Sequence, residues 1–587
     1  MAIGVAFGLM GAFFLAGMYV AAALGALSLI IMFFFSDAPL WNIMANKSWE
    51  GNTSFILVAV PLFILMGELM NRSGMGERMY AGITRWIWWL PGGLIHTNIV
   101  SCAIFAACSG SSVATSATIS RVSLPSFRAR GYSERMVIGS LAAGGTLGIL
   151  IPPSISLIIY GVLVEESIGR LYMAGFVPGV VLTLSFMTMI FSLALVWRGL
   201  APRESGDSFI TIEGWVNRLI GSIALVPIVA LIIVVIGSIY GGIATPSEAA
   251  AFGVYGAFVL AGILNTEEIL LPMFGGMMRS LGLISVSSAV KWLLGSVVGL
   301  LLVHLIVHIA FALMGRDLAD VVEVPEAVIA MHGGNLSDVP AAIAAQYDPF
   351  WESLFGENIF LVEVVIVPWS GWVPFLVNAS QEELRNARFP DTEVQRQLIR
   401  RNFLIVQDAF VSTVRTTGMI FLIVLAAFTL SFAFARLGIS QQIAEAISGL
   451  GLNDWQLVLV LVVFYLVLGT FMESFAMMVT TVPILLPTLE GAGVDLVWFG
   501  VIMVLLVEAA LISPPEGINL YVLHGVRLDV DREQAERANE VLQQSTIADV
   551  WIGVLPFMGC MAITTALVLF IPELALWLPD AIYGARQ

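Results

Sequence analysis

The chain has 587 residues, of which 59% are hydrophobic and only 12% charged, with a mean hydropathy of +0.94; a soluble domain carries roughly 25% charge. That balance excludes a soluble globular protein and leaves an integral membrane protein built of helices. A net charge of −16 argues against nucleic acid as a partner. Cys102, Cys108 and Cys560 sit in apolar surroundings without CxxC spacing or a disulfide framework, so they read as small packing residues.

Apolar runs mark spans at about 3–35, 53–70, 137–163, 171–197, 217–243, 249–265, 283–314, 359–377, 411–434, 496–523 and 549–572. The first run has no basic flank and is too long for a signal-peptide core, so it is read as a span. Two regions, 94–124 and 455–489, do not fit as single crossings. In the first, SCAIFAACSGSSVATSATIS from Ser101 to Ser120, two arms flank a break at Ser109-Gly110-Ser111-Ser112. Each arm is about half the roughly 20 residues that a crossing helix needs. The pattern predicts a re-entrant hairpin, whose tip must be buried in protein or line a watery cavity because hydrocarbon satisfies no amide or carbonyl. Taken singly, these serines also read as small residues that let membrane helices pack closely.

The run GGTLGILIPPSISLIIYG, Gly144 to Gly161, is an apolar helix interrupted at Pro152-Pro153. Proline removes a donor and frees upstream carbonyls, and a broken helix beside a hairpin tip is how transporters assemble ion and substrate sites. The same pair recurs. A second hairpin, VLVLVVFYLVLGTFMESFAMMVTTVPILLP from Val458 to Pro487, precedes LLVEAALISPPEGINLYVL, which is interrupted at Pro514-Pro515. Each hairpin follows a short arm, GERMYAGITRWIWWL or ISQQIAEAISGL. Trp86, Trp88 and Trp89 beside Arg85 suit a helix at the membrane interface, with a buried aromatic cluster as the alternative.

Lys and Arg accumulate on the cytoplasmic side. With the N-terminus inside and both hairpins returning to the side they left, only Lys47, Arg170, Arg316, Arg436 and Arg586 of the 26 basic residues fall outside. The first hairpin then opens inward and the second outward, which makes the two halves an inverted repeat. The implied organisation is a first repeat over 1–200, scaffold spans over 201–280, an insertion over 281–402 and a second repeat over 403–587. The insertion has two spans and an acidic outer loop, with eight Asp and Glu against Arg316. His304 and His308 share a helix face within it, but no third metal ligand accompanies them.

These residues resemble the large membrane subunit of a tripartite ATP-independent periplasmic (TRAP) transporter. The likeness rests on ACSGSSVATSATISRVSLP, GGTLGILIPPSISLIIYG, SIGRLYMAGFVPG, GGIATPSEAAAFGVYG, TVPILLP and ISPPEGINLYV, and covers about 1–280 and 403–572. It implies an all-α, elevator-type symporter of the bacterial inner membrane, driven by sodium and taking up an organic anion, usually a carboxylate. It also implies two partners, a small four-helix membrane subunit and a periplasmic substrate-binding protein, beside the surrounding lipid. Three features depart from the usual pattern: the insertion, Glu508 in place of a neutral amide, and Ser513-Pro514-Pro515-Glu516-Gly517 in place of a threonine-led version free of carboxylate.

Sodium is a hard cation that carbonyls and hydroxyls satisfy without a buried carboxylate. One ion is expected between Ser109, Gly110, Ser111, Ser112 and the first break near Gly145, Thr146 and Pro152. Its counterpart is expected between Gly469, Glu473, Ser474 and Ser513, Pro514, Gly517. The substrate carboxylate would lie between the tips at helix N-termini, with Ser154, Ser156, Thr480 and Thr481 as hydroxyl contacts or, equally, as caps and packing residues. Glu473 and Glu508 are intramembrane carboxylates, which usually face a cavity, an ion path or a partner; either can ligate sodium, carry a proton, or stay neutral and hydrogen-bonded. A free-standing sodium/dicarboxylate symporter is the alternative. No nucleophile–base pair or metal-ligand set supports an enzyme.

Overall fold

The computed structural model describes residues 2–36, 46, 49, 53–128, 130–197, 199–202, 218, 222, 225–261, 392–449, 451, 454–469, 472–515, 517–538 and 546–584. Among these, all regular structure is helical. The chain divides into two compact units, Met1–Asn265 with Arg400–Gln587, and Thr266–Ile399. The acidic loop, His304, His308 and nearly all of the predicted insertion lie outside the described residues.

In the first unit α1 (Ala2–Leu15) and α2 (Val20–Phe35) replace the single span expected over 3–35. The chain breaks at Gly17, whose φ of +70° closes the end of α1, and the two helices pack on one another. Each is shorter than the about 20 residues a crossing needs, so a parity count begun at the N-terminus has no single first step.

The first half then runs α3 (Ala59–Arg72), α4 (Met75–Ile87), α5 (Leu94–Ser109), α6 (Ser112–Arg128), α7 (Glu134–Gly145), α8 (Ile155–Leu163) and α9 (Ile168–Val196). Next come α10 (Val226–Tyr240) and α11 (246–261). The second half runs α12 (Thr392–Arg436), α13 (Ile439–Ser448), α14 (Asp454–Leu468), α15 (Ser474–Gly491), α16 (Leu496–Leu511), α17 (Ile518–Ala538), α18 (Ile547–Phe570) and α19 (Glu573–Tyr583). Phe55–Arg72, α9, Leu404–Arg436, α15 and α18 are long and apolar enough to cross a membrane.

The sequence explains the matching arms. Gly74 and Gly438, at φ of +74° and +66°, end one helix and start the next, a conformation that glycine adopts without a Cβ penalty. In α4 the stripe Met75, Met79 and Ile83 is buried while Glu77, Ala81 and Arg85 are exposed, which suits an amphipathic helix held on a packed body. Trp86 donates to the Ser222 hydroxyl at 2.6 Å and Trp89 to the Trp86 carbonyl at 2.8 Å, with Trp89 exposed.

Register fixes direction. Asn98 of α5 donates to Ser140 of α7 at 2.9 Å, and a Cβ on Gly144 would lie 2.8 Å from Cys102 Sγ, so α5 and α7 run parallel. Ser112 abuts Gly145 while Ser116 reaches back to the Leu141 carbonyl at 3.4 Å, so α6 runs antiparallel to α7 and hence to α5. Residues 94–124 are therefore a hairpin. In α3, Gly67 lies against Ser109 and Asn71 accepts from Thr118, so α3 and α6 run together. Helix α8 packs on the turn Phe55–Val58 at the opposite end of α3, so α7 and α8 lie on opposite sides of the break.

The second half is reversed. Tyr160 of α8 donates to the Leu496 carbonyl at the start of α16 at 2.7 Å, and Arg527 of α17 pairs with Glu134 at the start of α7 at 2.6 Å. Helix α16 thus begins on the side that α8 approaches, and α17 heads to the side where α7 begins. Contacts between the halves come in matched pairs: α6 packs on α17 as α15 packs on α8, and α7 on α18 as α16 on α9. Gly139 and Gly553 make the α7–α18 contact possible, because a Cβ on Gly139 would lie 2.0 Å from the Gly553 carbonyl oxygen.

Candidate functional site

The first hairpin tip is pressed onto the first break. Gly110 adopts φ +58° at the end of α5, and a Cβ there would come within 2.9 Å of the Pro153 carbonyl oxygen. A Cβ on Gly145 would meet Ser116 Oγ at 1.7 Å, and one on Gly148 would meet the Ser111 carbonyl oxygen at 2.7 Å. Glycine at these positions lets backbone oxygens of tip and break approach each other. Ser109 and Thr115 share a hydroxyl hydrogen bond of 2.6 Å across the tip. The Ser112 hydroxyl donates to Oε1 of Glu508, which is buried at 1% exposure near the end of α16. The structure thus brings Ser109, Gly110, Ser111, Ser112, Gly145 and the Pro152-Pro153 break together, and adds Glu508 from the second half.

Of the second group, Gly469 and Gly517 meet the end of α16. A Cβ on Gly469 would lie 2.2 Å from Ala510 Cβ, and one on Gly517 2.5 Å from the Leu511 carbonyl oxygen. Gly517 N–H donates to the Ser513 carbonyl at 3.0 Å, just across Pro514. Glu473 occupies the N-cap position of α15 and accepts from the Ser474 hydroxyl at 3.4 Å. Thr470, Phe471 and Glu516 lie outside the described residues. Tyr465 ties α14 to α15 by a 2.5 Å hydrogen bond to Thr481.

The hydroxyls near the breaks fall into two sets. Ser154 caps α8 by accepting from Leu157 N–H at 3.2 Å and donates to the Ile149 carbonyl at 2.5 Å. Thr146 donates to Ala143 at 2.6 Å, and Thr481 to Met477 at 2.8 Å. These three are engaged in local structure. Ser156 and Thr480, at 0% and 3% exposure, have no hydrogen-bond partner among the described residues. Buried polar groups are normally paired with protein or bound water, so these two hydroxyls are left available to a partner that their own helices do not supply.

Asn519 was missed by the sequence reading. It is 0% exposed, and both atoms of its amide lack partners among the described residues. The signal was present: Asn519 stands four residues after Pro515 in PPEGIN, and Ser156 three after Pro153 in PPSIS, so each is the second residue of the helix that follows a break. A neutral amide and a hydroxyl, each in the first turn of its helix, are groups that can donate to an anion without a counter-charge.

Two hairpins and two broken helices, related by inversion inside a helical membrane protein, define a membrane transport permease. The family model described as the tripartite ATP-independent periplasmic transporter, DctM component, matches residues 7–331 and 394–574, and the chain belongs to that family. It is a multi-helix integral membrane component of a tripartite transporter and not an enzyme. It is 24% identical over 584 residues to the C4-dicarboxylate TRAP transporter large permease protein DctM of Vibrio cholerae, covering 100% of this chain and 99% of that one. It is also 24% identical, over 100% of both chains, to the sialic acid TRAP transporter large permease protein SiaM of the same organism. Over 89% of this chain and 60% of the other, it is 26% identical to the isethionate TRAP transporter permease protein DctMQ of Oleidesulfovibrio alaskensis.

Proposed function

We propose that the chain is the large permease of a sodium-coupled uptake system for an organic anion, probed best as a carboxylate. The relatives named for C4-dicarboxylate and sialic acid support that class of solute. In this reading a periplasmic substrate-binding protein delivers the solute, and a separate small four-helix membrane subunit braces the scaffold in lipid. The permease sits in the bacterial inner membrane with Arg72, Arg78, Arg121, Arg130 and Arg135 on the cytoplasmic side, where basic residues accumulate. The two hairpins and broken helices move together as the sliding part of an elevator.

The observation that carries the reading is the pair of orphaned polar side chains, Ser156 and Asn519, at the first turns of α8 and α17. The solute carboxylate takes their donors and the free amides of both helix N-termini. Sodium takes oxygens of the two tips and breaks: Ser109 to Ser112 with Gly145, Thr146 and Pro152, and Gly469, Glu473 and Ser474 with Ser513, Pro514 and Gly517. Uptake into reconstituted vesicles tests this. Transport is expected only with a sodium gradient and the binding protein together, and tryptophan at Ser111 or Ser112 abolishes it while assembly persists. Full-rate transport without a binding protein would instead make the chain a free-standing symporter, and sodium-independent uptake would remove the coupling.

A further inference from the structure

Glu508 is a carboxyl at membrane depth with less around it than its chemistry needs. A carboxylate offers about four acceptor positions. The Ser112 hydroxyl fills one on Oε1, while Oε2, in a residue 1% exposed, has no hydrogen-bond partner among the described residues. No Lys or Arg pairs with it among the described residues. Buried charges persist where they are paired or coordinate a metal ion.

The carboxyl lies, through Oε1, beside a concentration of backbone and hydroxyl oxygens. Ser112, the residue it holds, abuts Gly145 so closely that a Cβ there would be 3.0 Å from the Ser112 carbonyl oxygen; the Ser111 carbonyl faces Gly148 in the same way. Ser109 and Thr115 face each other across the same tip. All of those groups belong to the first half, and Glu508 is the contribution of the second.

We propose that Glu508 is a cation ligand: it supplies the one anionic oxygen of a sodium site otherwise made of the neutral oxygens at the first hairpin tip. The proposal rests on the sodium-coupled reading above. An ion held this way bridges the tip of one repeat and the broken helix of the other, so its occupancy decides whether the two halves are tied together.

The test is sodium binding itself, measured calorimetrically on the purified full-length permease in potassium buffer, alongside the melting temperature in sodium-free buffer. The wild type binds sodium, Glu508→Gln lowers the affinity at least tenfold, and Glu508→Asp, which keeps the charge but shortens the reach, lowers it less. A group that only latches the helices would lower the sodium-free melting temperature and leave the affinity alone. Glu508→Gln binding sodium within about twofold of the wild type overturns the proposal while leaving sodium coupling intact. Absence of sodium binding by the wild type overturns the coupling reading first. If Glu508→Gln does not accumulate in membranes, Glu508→Asp decides, and wild-type affinity in that variant overturns the assignment.

Discussion

Replacing Asn519 by leucine should make the permease more stable and less active at once. The side chain is 0% exposed with an unpaired donor and an unpaired acceptor. A buried unsatisfied polar group costs about 1–3 kcal/mol, and replacing it by an apolar group of similar shape removes that cost. Less a penalty for imperfect fit, the solute-free protein should gain about 1 kcal/mol in apparent stability. If Asn519 holds the solute as proposed, the same change removes a hydrogen bond to a charged ligand, about 1.5–3 kcal/mol, so apparent affinity for the transported anion should fall roughly 10- to 100-fold. Thermal unfolding in detergent without solute reads the first effect, and uptake into vesicles against solute concentration reads the second. A destabilised Asn519→Leu protein with wild-type uptake would refute the reasoning, because the amide would then be a structural group. Ser156→Ala should follow the same pattern with a smaller amplitude, since one hydroxyl is removed.

Gly145→Ala drives a Cβ into Ser116 Oγ and should cost about 1–3 kcal/mol as overpacking; pairing it with Ser116→Ala should recover part of the melting temperature, and full additivity of the two would exclude a direct clash. Ser154→Ala should cost about 1 kcal/mol through loss of the α8 cap while leaving the affinity for solute near wild type, because both of its hydrogen bonds are local; a selective loss of affinity would reassign it to the solute. Glu134→Gln removes the carboxylate that Arg527, at 2% exposure, meets at 2.6 Å, while Asp549 and the Thr546 carbonyl still face that guanidinium, and should destabilise by about 1 kcal/mol. Arg527→Met should be better tolerated, and equal losses in the two variants would count against the ion pair as the origin of the effect.

Sequence alone determined the class of structure and its internal logic. Composition requires a membrane protein because 59% apolar content cannot be covered by the available polar surface. The double prolines and the Ser/Gly tip mark broken helices and hairpins because proline removes a backbone donor and short apolar arms cannot span lipid. Those are local rules, and they place the tips between α5 and α6 and between α14 and α15; the arms themselves, at 16, 17, 15 and 18 residues, are longer than the half-crossings expected, and α15 is long enough to cross a membrane. The break at Gly17 was hidden inside an uninterrupted apolar run, since hydropathy reports burial and says nothing of a left-handed turn.

Only the tertiary structure decided which hydroxyls are spent. Ser154, Ser156, Thr480 and Thr481 look alike in sequence, yet two are occupied by their own helices and two have no partner among the described residues. Whether a polar side chain is satisfied depends on what packs around it from elsewhere in the chain, as Glu508 meeting Ser112 across 396 residues shows. Local pattern carries secondary structure because backbone hydrogen bonds join near neighbours; a binding site is a meeting of distant segments, and no window of the sequence contains it.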